Sequence, residues 1–417
     1  MRAAWFDRKL LVMLLLGFSA GLPLPLTGFT LRQWFSEANV PLGQIGLTAL
    51  IGLSYSLKFL WAPLLDHARA PMPSLGRRRG WLAPVQALLA LSIAAMALTD
   101  PASNPTATVS VAVAVAFLSA TQDIAIDAFR IESLPQERQG LGLAAYVWGY
   151  RVALLVANAG VLYSVARLGW QGAFVAMASL MAVGLATTLI LAEEPPPPRG
   201  YSRAGWSEWL AAAVVAPFRD FLSRPGAWLI LAFVALFKLG EALAGIMTAP
   251  FYRSIGFSRE DVAAVSGVFG LFATLGGVAL GGLLVAAIGT GRSLVITGLM
   301  QMLSNLMYVA LAEAGRSLPM LWAQVGVENA TDGLADAAFV AYLSSLTSTA
   351  FTATQYALLS SLAALPLRTI GGLSGYLAEA MGWTRFFLLT TAAAVPGLAI
   401  MLVLLRRFPA PAKDAPR

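Results

Sequence analysis

The 417-residue sequence contains no cysteine and a single histidine, His67. The first absence excludes disulfides and thiol chemistry, and says nothing of compartment. The second excludes a multi-histidine metal site and most nucleophilic triads. His67 follows Asp66 at the end of an apolar run and reads as a solvated loop residue. Charge is scarce as well. Only 12% of residues are charged while 58% are hydrophobic, about half the charged share of a soluble domain. There is no Gly-x-x-x-x-Gly-Lys-Ser/Thr loop, because Gly289-Thr290-Gly291-Arg292-Ser293 lacks the lysine and the spacing. ATP-driven work is therefore not expected. No catalytic constellation or soluble sensor domain is recognisable either, which argues against an enzyme and leaves a membrane receptor as a remote alternative.

What fills the chain is apolar runs near the ~20 residues that a membrane-spanning helix needs. About twelve follow one another: 10–31, 44–65, 81–99, 107–129, 141–163, 170–192, 226–248, 262–288, 293–313, 319–343, 355–378 and 385–405. Helices are expected, since unpaired backbone groups are too costly in lipid and a barrel would show short alternating segments. With both ends cytoplasmic, the inside segments hold 18 of the 28 basic residues, and the outside loops hold Arg32, Arg167, Arg253, Arg259 and Arg316. That asymmetry is a positive-inside pattern and orients a multi-pass membrane protein with both termini cytoplasmic. It also accounts for the net charge of +7 without any nucleic acid. The first run follows Arg8 and Lys9 but outlasts a signal peptide's apolar core and leads into another span, so it reads as an uncleaved helix.

One break divides the chain. Residues 193–225 open with Glu193-Glu194 and Pro195 to Pro198, a stiff spacer. Trp206, Trp209, Leu210, Ala213, Val214, Pro217, Phe218, Phe221 and Leu222 then recur at helical spacing. This predicts an amphipathic helix at the cytoplasmic interface, joining a bundle of residues 1–192 to one of residues 226–417. The halves repeat one another. Residues 40–45 match 257–262 at an offset of 217, as Arg151 matches Arg368; Gly169-Trp170 matches Gly382-Trp383 at 213. The pairs Asp123/Asp127 and Asp332/Asp336 differ by 209. The expected fold is an all-α major facilitator architecture: two pseudo-symmetric six-helix bundles with a binding site between them near the membrane midplane.

Charges inside such spans are costly and usually face a cavity or a partner. The basic ones are Lys58, Arg151, Lys238 and Arg368; the acidic ones are Asp123, Asp127, Glu241, Glu328, Asp332 and Asp336. Four bases cannot neutralise six acids. A buried carboxyl without a basic partner favours its neutral form and can exchange a proton. Proton coupling through Asp123, Asp127, Glu241, Glu328 and Asp332 is therefore the expectation, with the proton as coupling ion and no other cofactor. Asp127 and Asp336 lie close to the inner boundary, where water reaches them. Spacing of four stacks Asp123 over Asp127, and Glu328 over Asp332, on single helix faces. Arg151 can pair with Asp123, and Arg368 with Glu328 or Asp332; alternatively, both arginines grip substrate carboxylates. Lys238 and Glu241, three residues apart, can form a local pair or serve the substrate.

Asp66 followed by Gly76-Arg77-Arg78-Arg79-Gly80 looks like the acidic-then-basic loop that ties helix ends together when a major facilitator is closed on its inner side. These are the expected gating residues. Gly21, Pro23, Pro25 and Gly28 predict a bent or unwound first span. Trp34, Trp61, Tyr146 and Trp148 lie near span ends, where interfacial anchoring is the default and stacking on a sugar ring is the alternative.

Ser119-Ala120-Thr121-Gln122-Asp123-Ile124-Ala125-Ile126-Asp127-Ala128-Phe129, Leu134-Pro135 and Gly149-Tyr150-Arg151 closely resemble the AmpG muropeptide permeases. So do Gly17 to Pro23, Lys58 to Pro63, Gly76 to Trp81, Lys238 to Glu241, Glu328-Asn329, Ala338 to Ala341 and Ala353 to Ser360. The resemblance covers nearly the whole chain. It implies a proton symporter of the bacterial inner membrane that imports N-acetylglucosaminyl-1,6-anhydro-N-acetylmuramyl peptides for peptidoglycan recycling. It adds Gln122, Gln355 and Tyr150 to Arg151, Lys238 and Arg368 as expected substrate contacts. The implied partners are a small-molecule muropeptide and the surrounding lipid, for a protein expected to be a monomer. The chain departs from the family pattern at Glu241, usually Asp, at His67, usually Arg, and at Asp332 and Asp336, where small residues are usual. A distant branch is similar to acetyl-CoA transporters, which makes another anionic substrate the alternative.

Overall fold

The computed structural model describes residues 8–134, 139–196, 215–346 and 352–407, and among these every regular element is helical. The chain forms two compact units. The first comprises Met1–Arg203 with Ser258–Ala263, the second Ala204–Phe257 with Ala264–Arg417. In the first lie α1 (Arg8–Gly21), α2 (Arg79–Met96), α3 (Pro105–Ser133) and α4 (Gln139–Leu155). The second contains α5 (Leu239–Ile255), α6 (Gly270–Ile288), α7 (Thr290–Ser304), α8 (Leu318–Ser345) and α9 (Thr352–Thr369).

Eight helical segments among the described residues are long and apolar enough to cross a membrane. One of them, Gly142–Leu191, is two helices meeting at Gly169. The other expected spans are helical but fall outside this set for reasons visible in their residues. The run from Leu42 is broken into Leu42–Leu47, Thr48–Gly52, Leu53–Ser56, Lys58–Leu60 and Ala62–His67. Pro63 in the first turn of the last piece has no N–H with which to continue a helix through it. α8 is long enough, but it carries Glu328, Asp332 and Asp336. α9 contains Pro366 and gives way to short pieces, Ile370–Leu373 and Ser374–Met381.

The expected bend in the first span is present. α1 stops at Gly21, the chain is non-helical at Gly28 (φ −113°, ψ −109°), and helix resumes over Phe29–Glu37. Of the expected amphipathic helix over 206–222, residues 206–214 lie outside the described residues; Ala216–Leu222 is helical with Pro217 in its first turn. The repeat is visible in backbone geometry. Gly169 (φ 66°, ψ 176°) and Gly382 (φ 75°, ψ 167°) adopt the same glycine-favouring conformation, each followed by a tryptophan that opens a helix.

Side-chain placement fits a lipid-embedded protein. Leu98, Ile190 and Trp228 face outward, while Met13, Leu16, Leu82 and Ile126 pack inside the first unit. Phe233, Phe237 and Phe339 pack inside the second. Trp34 is not an interfacial anchor. It is buried and stacks on Trp170 at 5.5 Å, whose indole N–H donates to Glu37 Oε2 at 2.9 Å. Arg259, in the segment of the first unit contributed by Ser258–Ala263, donates from Nε to both Glu37 oxygens at 2.7 and 2.8 Å.

Without a hydrophobic drive between helices in lipid, close backbone approach supplies the packing, and small residues permit it. A Cβ added at Gly149 on α4 would stand 1.8 Å from the Leu14 carbonyl oxygen of α1. One added at Gly17 on α1 would stand 2.1 Å from that of Tyr146. The second unit repeats the device between α6 and α8, where Gly277 meets the Ala330 carbonyl and Gly333 that of Thr274. Gly149→Val should therefore lower the thermal midpoint of the detergent-purified protein by at least several degrees. Gly282→Ala, with nothing within 4 Å of the added atom, should leave it unchanged. Equal midpoints for both variants would show that the α1–α4 approach does not limit stability.

Candidate functional site

The broken run 42–67 has a consequence for α3. It presents Lys58 to Asp123, Nζ to Oδ2 at 3.8 Å, with the aspartate largely buried. The expected Arg151–Asp123 pair is not formed. Arg151, half-buried on α4, has no ion-pair or hydrogen-bond partner among the described residues. Asp127, one turn beyond Asp123, is about half exposed and pairs with Arg130 at 3.6 Å. Gln122 is fully buried: its Oε1 accepts from Ser19 Oγ at 3.0 Å, and its Nε2 donates to the Ser19 carbonyl at 3.3 Å. In this state it braces α3 against α1. Tyr150 lies beside Tyr146 on α4, ring centroids 6.2 Å apart. Trp61 donates its indole N–H to Thr121 Oγ1 at 3.1 Å, and Trp148 stands exposed.

In the second unit the charges gather around one cation. Lys238 Nζ lies 3.0 Å from Glu241 Oε2 and 2.9 Å from Asp332 Oδ1, and it also pairs with Asp336. Gln301, on α7, donates from Nε2 to the same Glu241 and Asp332 oxygens. Two carboxylates are thus held between one ammonium and one amide, and the lysine's donors are committed to this cluster. Glu328, one turn from Asp332 on α8, accepts from Asn329 Nδ2 at 3.0 Å. Beside this run is a buried polar patch that composition alone did not reveal. Tyr252 donates to Gln324 Oε1 at 2.7 Å, and Thr248 and Tyr308 share a hydrogen bond of 3.1 Å. Arg368 is half-buried near the end of α9. The side chain of Gln355, earlier on α9, lies outside the described residues.

The arginine loop is anchored within the first unit. Arg77 donates to Glu132 Oε2 at 2.6 Å, and Arg78 grips the same carboxylate through Nε and Nη2, the latter at 2.7 Å. Glu194 accepts from the backbone N–H groups of Arg77, Arg78 and Arg79 at 2.7, 2.8 and 3.0 Å. These groups open α2, so the carboxylate occupies the electropositive end of that helix. Gly76, at φ 100°, admits it: a Cβ there would stand 2.4 Å from Glu194 Cγ. Arg79 donates onward to the Thr188 and Leu189 carbonyls. Sequence reading named the arginines but missed Glu132 and Glu194. The only available signal was their position at the ends of the fourth and sixth apolar runs. The Asp66 side chain lies outside the described residues.

Comparison with known proteins bears on the family and the fold. The Major Facilitator Superfamily profile matches residues 10–367. The chain is 42% identical over 398 residues to the anhydromuropeptide permease of Escherichia coli K12, covering 94% of this chain and 79% of that one. It is 35% identical to the putative transporter AmpG 4 of Rickettsia felis, with 95% and 97% covered. Among solved structures it is similar in fold to a bacterial homologue of the lysosomal transporter Spinster, at TM-score 0.70 and 16% identity, covering 96% and 97%. It is similar also to a D-xylose-proton symporter, at TM-score 0.69 and 13% identity, covering 95% and 97%.

The Lys238 cluster makes its own prediction. Lys238→Met would leave Glu241 and Asp332 around Gln301 with no cation. Removing one partner of a buried ion pair costs about 3 kcal/mol or more, with a smaller share from half-exposed Asp336, which water screens. The variant should melt well below the parent protein in detergent. Lys238→Met combined with Asp332→Asn should recover part of the loss, and a melting point unchanged by Lys238→Met would show that the cluster does not need its lysine.

Proposed function

Because the chain belongs to the Major Facilitator Superfamily, and within it to the family of the E. coli anhydromuropeptide permease, we propose that it imports anhydro-muropeptides by proton-driven alternating access. It is a multi-pass membrane protein. Its bacterial relatives support an inner-membrane placement, and its basic residues favour both termini on the cytoplasmic side. The permease relative, 42% identical along nearly the whole chain, carries the substrate assignment. The site chemistry supports it. A muropeptide is polar, bears carboxylates and has two sugar rings, and Arg151 is an uncommitted guanidinium inside an apolar span. Its planar fork suits a carboxylate. Lys238, by contrast, is committed to three carboxylates, so its part in the cycle is to hold them rather than to meet the ligand.

Coupling is assigned to Asp123. Its pairing with Lys58 is long, at 3.8 Å. Protonation removes the attraction that keeps Lys58 in place, and a bound substrate carboxylate can then compete for that cation. The proton and the anionic ligand thereby favour the same rearrangement, as symport requires. Unlike ATP-driven import, this scheme needs no bound nucleotide, and the only coupling species is the proton.

Uptake of labelled N-acetylglucosaminyl-1,6-anhydro-N-acetylmuramyl peptide into vesicles tests the reading. Accumulation is expected with an inward proton gradient and not without one. Asp123→Asn should abolish accumulation while counterflow persists; gradient-driven pumping by that variant at normal expression would take Asp123 out of the mechanism. A separate measurement concerns Arg151. Binding to the purified protein should weaken about tenfold in Arg151→Lys, which keeps charge and loses the fork, and should be nearly lost in Arg151→Ala. Full affinity in Arg151→Ala would place the substrate carboxylate elsewhere.

A further inference from the structure

Three buried oxygens of the first unit lack a hydrogen bond of normal geometry among the described residues: Asp123 Oδ1, Ser119 Oγ and the Tyr55 hydroxyl, the last in looser contact with the hydroxyls of Ser119 and Thr27. Ser119 is one helical turn before Asp123 on α3, hence on the same face, and is fully buried. Tyr55 belongs to the short piece Leu53–Ser56 of the broken run, and its hydroxyl faces Ser119, Asp123, Tyr150 and Thr27. An unpaired buried hydroxyl or carboxyl oxygen costs about 1–3 kcal/mol, and native structures keep few such groups without a reason. Here three occur together, around the carboxylate assigned to coupling.

Their chemistry narrows the occupant. A hydroxyl both donates and accepts, and its hydrogen rotates to suit its neighbour. Beside a carboxyl group it can therefore serve both charge states, donating to the ionised form and accepting from the protonated one. Size decides the rest. Ser119 has no exposed surface, so it cannot meet a ligand as large as a sugar, whereas half-buried Arg151 can. We propose that Tyr55 and Ser119 are positioning residues of a proton-binding site at Asp123 Oδ1, rotating their hydroxyls as the proton arrives and leaves.

This rests on the reading of Asp123 as the coupling group. The other groups facing that carboxyl are Lys58 from Lys58–Leu60, Asp127 on its own helix and Tyr146 from α4. Lys58 is its opposite charge and Asp127 its like-charged neighbour. Tyr146 is a further hydroxyl on the α4 side, near Arg130 as well. None of these is altered by shaving the Tyr55 or Ser119 hydroxyl, so the effect of those two substitutions can be read separately.

The test uses the full-length protein in proteoliposomes and the labelled anhydro-muropeptide. Initial uptake is followed against pH for the parent, Tyr55→Phe, Ser119→Ala, their double variant and Asp123→Asn, with counterflow measured on the same vesicles. Loss of the two donors disfavours the ionised carboxylate. The pH at which uptake falls to half should therefore move to higher pH, by about one unit in the double variant, with counterflow retained. If Asp123→Asn loses accumulation but the double variant keeps the parent midpoint, the positioning role is overturned and coupling at Asp123 stands. If Asp123→Asn still accumulates substrate against the gradient, the coupling assignment itself falls. Loss of counterflow in both Tyr55→Phe and Ser119→Ala would also overturn the proposal, by giving the hydroxyls to the substrate.

Discussion

A charged side chain surrounded by hydrocarbon must find a partner, and this constraint organises both units. It is most compressed at Lys238, where Glu241, Asp332 and Asp336 converge on one ammonium and Gln301 bridges two of them. The elements supplying these groups are α5, α7 and α8; Lys238 itself caps α5. None of the three helices could keep its polar groups in an apolar span without the others. The cluster is therefore a packing determinant as well as a charge store. Its net charge, with all groups ionised, is negative, one ammonium against three carboxylates.

Positioning these groups to within an ångström is the task of the backbone, and glycine performs it at the helix crossings. Gly149 lets α4 lie against α1. Tyr150 and Arg151 follow immediately, so the residue that fixes the crossing also fixes where the guanidinium emerges. Gly333 does the same beside Asp332, against the Thr274 carbonyl of α6. In both units a functional side chain stands one or two residues from a contact that no larger residue would permit. The short motif Gly149-Tyr150-Arg151 thus combines a structural requirement with a chemical one.

Much of this was legible in the sequence, and the misses have physical causes. Apolar run length and repeat offsets sufficed for the helical major facilitator architecture, because lipid leaves few alternatives to helices. The Asp-x-x-x-Asp spacing correctly flagged both polar faces. Partners were harder, because they depend on where helices break. A continuous helix over 44–65 would make Lys58 a snorkelling residue. The actual breaks turn it onto Asp123, and the expected Arg151 pair is absent. Gln122 looked like a ligand contact by its place in the motif, yet Ser19 occupies both ends of its amide. The anchoring role of Glu132 and Glu194 was not legible because carboxylates at helix ends usually mean only a solvated boundary. Here they hold the arginine loop.

The two aspartate pairs also end in unlike surroundings, which separates their roles. Asp332 is clamped at 2.9 Å from an ammonium and 3.1 Å from an amide. Asp123 has one oxygen 3.8 Å from Lys58 and the other without a hydrogen-bond partner among the described residues. Both contacts of Asp332 fall on Oδ1 and tie α8 to α5 and α7, whereas Asp123 is held through one long contact. The proposal that Asp123 exchanges the proton and Arg151 meets the ligand rests on that difference and on a guanidinium without a partner among the described residues. Duplication supplied the same residue spacing twice. The break in the run 42–67 in one unit, and the extra carboxylates on Lys238 in the other, gave the two copies unlike partners.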